Sequence, residues 1–150
     1  MRVVHITNRF LPEPGGVQWS VYRTAEAQAR RGHDVIVITE TPQGEWDDSA
    51  EPFRIVRMCV PLLRPVTRLL YWRWMFRNRG AYATVDILHF HDYTPLIHWF
   101  LPLRLLIRHP AYVITFHGYE HWPVRWRHRV LRAIAASLCH QRFGVGDYLR

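Results

Sequence analysis

Val3-Val4-His5-Ile6-Thr7, Gly15-Gly16 and Asp34-Val35-Ile36-Val37-Ile38-Thr39 decide the fold of this chain. The outer two are β-branched runs without polar alternation, the pattern of strands covered on both faces. Asn8 to Gly16 is expected to be a loop, because Pro12, Pro14 and the Gly15-Gly16 pair oppose regular structure. From Val17 to Arg31 the period turns helical: Val17, Val21, Ala25, Gln28 and Ala29 line one face, and Gly32 supplies the stop. Strand, glycine loop, helix and strand form one parallel crossover unit.

Working outward, the alternation continues. Residues 40–52 are acidic and turn-rich, a solvated loop. Phe53 to Met58 alternates loosely with Arg54 and Arg57, as a strand near an edge does. Asp86–His91, Ala111–Phe116 and Gln141–Val145 are expected strands. Pro65–Arg79 and Trp122–Ser137 are expected helices, and a third runs to Arg108 with Thr94 as N-cap and Pro95 at its first position. The fold class is therefore α/β, a Rossmann-like parallel sheet with helices on both faces, as one domain over residues 1–150. Gly146-Asp147 opens a further helix that Arg150 cuts short, which reads as a truncation.

Composition narrows the classes. The 150 residues are 49% hydrophobic and 14% aromatic, too apolar for a disordered chain. The 20 cationic residues are all arginine, a planar donor suited to phosphate and carboxylate. Residues 1–51 hold five Arg against eight acids, and residues 52–150 hold fifteen against four. An anionic partner is thus expected on the second two-thirds of the chain. No secretory signal or spanning run is present, and two distant cysteines, Cys59 and Cys139, fit a reducing cytosol. The expected localisation is cytoplasmic, with peripheral attachment at the inner face of the plasma membrane as its variant.

Ligands of such sheets bind at the carboxyl ends of the strands. Gly15-Gly16 lies there, before a helix whose N–H groups can hold an anion or a sugar hydroxyl; the alternative is a plain turn. A dinucleotide-binding domain is excluded, since GxGxxG is absent and a nine-residue loop with two prolines replaces its tight turn. His5 and His33 are expected to be structural. His89 and His91 share one strand face, but no third ligand is obvious, so a site-lining or core polar role is favoured over a metal. His117 closes a strand at the same edge, and Glu120 is misplaced for a zinc hydrolase between His117 and His121.

Phe10-Leu11-Pro12-Glu13-Pro14-Gly15-Gly16-Val17-Gln18, followed by Arg31-Gly32-His33-Asp34-Val35, resembles the start of glycosyltransferase family 4, which has the GT-B fold. Asp86 to Asp92 and Ile114 to Glu120 match two further family segments in order, and Val145 to Leu149 resembles the start of the family's next helix. The similarity covers essentially the whole chain. It implies a retaining enzyme that transfers a sugar from a nucleotide-sugar donor to a glycan or lipid-linked acceptor. This chain would be its N-terminal, acceptor-side domain. The resemblance assigns His117 the catalytic contact to the donor sugar. It places Gly15, Gly16, Val17, His91, Asp92, Gly118, Tyr119 and Glu120 around the substrates. No metal or other cofactor is implied, because backbone N–H groups and basic side chains stabilise the departing diphosphate. The family's second domain, with its acidic E-x7-E element, has no counterpart here and is expected as a partner in cis or in trans. Alone, the chain is expected to have negligible turnover.

Arg64 to Arg79 and Trp122 to Arg132 interleave Arg with aromatic residues. Arg68, Trp72, Arg73, Trp74 and Arg77 are candidate contacts to an anionic membrane surface, as in interfacial helices. That surface supplies the alternative function, a non-catalytic module binding a membrane or another anionic partner. A helix covering the sheet with its arginines snorkelling outward is the competing expectation. Nucleic acid is not an expected partner, since no RRM, KH or helix-turn-helix pattern occurs.

Overall fold

The computed structural model describes residues 1–41, 46–58, 65–77, 79–107, 109–118 and 125–145. Its strands are β1 (Arg2–Arg9), β2 (Asp34–Thr41), β3 (Arg54–Arg57), β4 (Ile87–His91), β5 (Ala111–Phe116) and β6 (Gln141–Gly144). They form one sheet in the order β3-β2-β1-β4-β5-β6, with each neighbouring pair parallel. That is the doubly wound order, in which the direction of strand succession reverses beside β1. The expected edge strand is β3.

The β-branched runs alternate between two cores. Val4 and Ile6 of β1 join Leu88, Phe90, Tyr112 and Ile114 on one face. Val35 and Val37 of β2 turn to the other, against Phe10, Val21, Ala25 and Phe53. The second face lies under α1 (Gly16–Arg30), whose apolar positions recur at helical spacing. Gly32 follows α1 with φ +82°, a left-handed position that glycine adopts without a Cβ clash.

The first face is covered by α2 (Pro65–Arg77), α3 (Arg79–Tyr82), a helical run from Tyr93 to Leu106, and α6 (Trp126–Leu138). The run begins as α4 (Tyr93–Pro95), passes through a π-helical turn at Leu96–Phe100 and ends as α5 (Leu101–Leu106). Widening the helix there lets Leu96, Trp99 and Phe100 all reach the core. Its N-cap is Asp92, whose carboxylate accepts from the Tyr93 N–H at 2.7 Å. The expected cap at Thr94 is therefore corrected, and helical backbone starts before Pro95. Proline's missing N–H is tolerated there because first-turn N–H groups have no carbonyl partner within the helix.

Candidate functional site

Because every strand is parallel, all the carboxyl ends share one edge. The loops there hold Gly15-Gly16 after β1, Asp92 after β4, and His117-Gly118 after β5. Gly15 is the N-cap of α1, no side chain caps it, and no acid occupies the first turn. The leading N–H groups are thus free of competing carboxylates, as an anion or hydroxyl site requires. A Cβ on Gly15 would run into the Gln18 side-chain amide, whereas one on Gly16 would meet nothing within 4 Å. Close approach is available at Gly16. Val17 packs partly against the core beneath α1, so its contribution is to seat the helix start.

The histidines form a chain under this edge. Parallel pairing sets His5 beside His89 and His91 beside Thr115. His5 Nε2 lies 2.7 Å from Gln28 Oε1 of α1, and His5 Nδ1 lies 3.0 Å from His91 Nε2. His91 Nδ1 continues to His117 Nε2 at 2.9 Å. His89 stands alongside and bonds Thr115 Oγ1 at 2.8 Å. Burial keeps these rings neutral. It pulls His5 down to about 4 and His89 to about 3. His91 is held well below its ordinary value, first by burial and then by the repulsion its protonated ring would meet from His89, His5 and His117 were they protonated too. His117 is also lowered by burial. Each buried ring meets a partner, which offsets the loss of water.

His5, His89 and His91 bring one ring nitrogen each within 4.8 Å of one another. The third ligand that was not obvious in the sequence is therefore His5. Two of these three rings, His5 and His91, already direct facing nitrogens at each other, however. Ring centroids are 5.3 Å apart for His5–His91 and 5.2 Å for His91–His117, in each case a ring's width more than the nitrogen separation. Each pair meets end to end, as a hydrogen bond does. Ligands of one ion instead aim their lone pairs at a common point.

Arg132 of α6 ties the two loops together. Its guanidinium donates to the Gly118 carbonyl at 2.7 Å, lies 3.8 Å from an Asp92 carboxylate oxygen, and stacks over Phe116 at 4.7 Å. Asp92 has φ +76°, unusual for a residue with a Cβ, and Gly118 has φ +136°. Both ends of the strap are thus held in turns that ordinary residues avoid, a kind of strain that clusters at functional sites.

Residues 14–145 match the family model for Glycosyltransferase Family 4. The chain belongs to that family. Solved structures support the fold: sucrose-phosphate synthase from Thermosynechococcus elongatus superposes with a TM-score of 0.63 at 13% identity, over 89% of this chain and 39% of that one. MurG from Acinetobacter baumannii gives 0.57 at 14% identity, over 97% of this chain and 41% of its own. The chain thus spans about two-fifths of the length of these GT-B structures. No curated protein matches the sequence.

For this family 4 domain, the structure brings His91 and His117 into direct contact and links Asp92 to Gly118 through Arg132. Gly15, Gly16 and Val17 share their edge of the sheet. Tyr119 and Glu120 lie outside the described residues. On α2, Arg68 and Trp72 turn inward: the Trp72 indole N–H donates to the His98 carbonyl, and Arg68 lies over the Trp72 ring. Arg73 and Arg77 face outward, and the Trp74 side chain is outside the described part. His5, Gln28, Thr115 and Arg132 were not singled out as site residues in the sequence. His5 was expected to be structural, and strand order supplies the missing signal, because pairing β1 with β4 makes His5 a neighbour of His89.

Proposed function

We propose that this family 4 domain is the acceptor side of a retaining glycosyltransferase, which moves a sugar from a nucleotide-sugar donor to a glycan or lipid-linked acceptor. The observation that carries it is the shared carboxyl edge, where an uncapped glycine loop and His117 stand in one family member. Helix N–H groups suit the charge that develops as a diphosphate departs, so the account needs no metal. His117 is assigned to the donor sugar, with Asp92 and Gly118 beside it. The test joins this chain to a nucleotide-sugar-binding domain, in cis or in trans, and follows the anomeric proton of the product by NMR in EDTA. Retained configuration with undiminished rate is expected. Inversion, or a rate restored only by added metal, would reject the mechanism.

A second surface favours peripheral docking at a membrane. Val66, Leu69, Arg73 and Arg77 fall on one face of α2, and all four are exposed. Apolar residues beside arginines match the needs of an anionic lipid interface. Sedimentation with anionic vesicles is expected to pull down the protein and to weaken as salt rises, while R73E/R77E stays in the supernatant. Equal binding by that variant would remove this surface from the account.

A further inference from the structure

We propose that Gln28 and His5, acting through His91, are positioning residues that fix the tautomer of His117, with the proton on Nε2 and the lone pair on Nδ1. A neutral imidazole has one donor and one acceptor nitrogen, so a chain of neutral rings has a direction. Gln28 presents Oε1, an acceptor, to His5 Nε2 at 2.7 Å. His5 must therefore donate from Nε2, which leaves its Nδ1 to accept. His91 Nε2–H donates to that Nδ1 at 3.0 Å, and His91 Nδ1 must then accept. His117 Nε2–H donates to it at 2.9 Å. One amide on α1 thus dictates which nitrogen is bare on a ring two histidines away, at the edge of the sheet.

The near-coplanar, end-to-end meeting of the rings, with interplanar angles of 27° and 31°, supports transmission along the chain. The consequence is chemical. His117 meets its ligand through Nδ1 as an acceptor, so its preferred partner is a hydroxyl group, and an anionic phosphate oxygen is disfavoured there. Only this last step rests on the proposed glycosyl transfer, with a sugar hydroxyl as the partner; the tautomer order does not.

The test is NMR of the protein with 15N-labelled histidine, which reads each ring's tautomer without any turnover. The wild type is expected to show His5, His91 and His117 all as Nε2–H, with couplings across both N–H···N bonds. Q28E offers an acceptor only and should preserve that order. Q28L removes the director, so His117 should become a mixture of tautomers while near-UV circular dichroism stays native. An Nδ1–H form of His117 in the wild type, missing couplings, or an unchanged His117 in folded Q28L would each overturn the proposal. If Q28L fails to fold, the wild-type and Q28E spectra still decide it. Stoichiometric Zn2+ that shifts His5, His89 and His91 together would also overturn it, by showing a metal centre instead. Should the tautomer order hold while H117A leaves sugar transfer intact, the functional assignment fails and the chain stands.

Discussion

His91 is fully enclosed and bonded on both ring nitrogens, so a proton added to it has neither water nor an acceptor to receive it. Burial acts in the same direction on His5 and His89, pulled down to about 4 and about 3. In the unfolded chain these rings titrate near 6.5, so below that pH the unfolded state binds more protons than the folded one. Stability is therefore complete above pH 6.5 and falls as pH drops toward 4, by about 1.4 kcal/mol per pH unit for each ring kept neutral. Thermal melts from pH 7.5 to 4.5 should show this decline, with a shallower slope in H89N; identical slopes would contradict it. His91 and His117 were legible in the sequence because each stands where a strand ends, at the carboxyl edge of the sheet. His5 was not, since it lies at the middle of its strand, and only the order β1-β4 shows what stands beside it. Gln28 was legible as a helix-face position, and its role as director was hidden because the contact spans two elements.

The glycine loop and the helix that follows make a separable pair of predictions. Gly16 has open space around it, so G16V should change stability by less than about 1 kcal/mol and reduce sugar transfer at least tenfold by blocking the helix start. G15A is the opposite case. Its Cβ forces the buried Gln18 amide to move, at about 1–2 kcal/mol of stability. Urea melts paired with transfer assays separate the two, and equal stability losses would refute the distinction. On α6, R132A removes the donor to the Gly118 carbonyl and the stack on Phe116, so about 2 kcal/mol should be lost. Amide exchange at residues 116–118 should rise with it, and unchanged exchange would deny the strap. The elements themselves were nearly all legible from β-branched runs and helical spacing. Thr94-Pro95 misled, because Asp92 caps from a left-handed position that sequence patterns do not reveal. The π turn was hidden for a related reason: the core demands of Leu96, Trp99 and Phe100 override the usual helical period.

The described residues form a parallel sheet whose carboxyl-end loops share one edge, and the charge asymmetry follows that layout. The glycine loop sits in the acidic first third, while Asp92, His117 and Arg132 sit in the arginine-rich remainder. Family membership and fold agree, and the length is about two-fifths of the GT-B structures it resembles. The central claim is that this edge handles a sugar during transfer from a nucleotide, with His117 against it. The most direct measurement is transfer from sugar-nucleotide donors by this chain paired with a nucleotide-sugar-binding domain, comparing the wild type with H117A at matched folded concentration. The account predicts transfer by the wild type and a loss of about a hundredfold or more in H117A, compared at equal folded protein because the variant also leaves the buried His91 Nδ1 without its partner and melts lower. Equal transfer by the two proteins would contradict it.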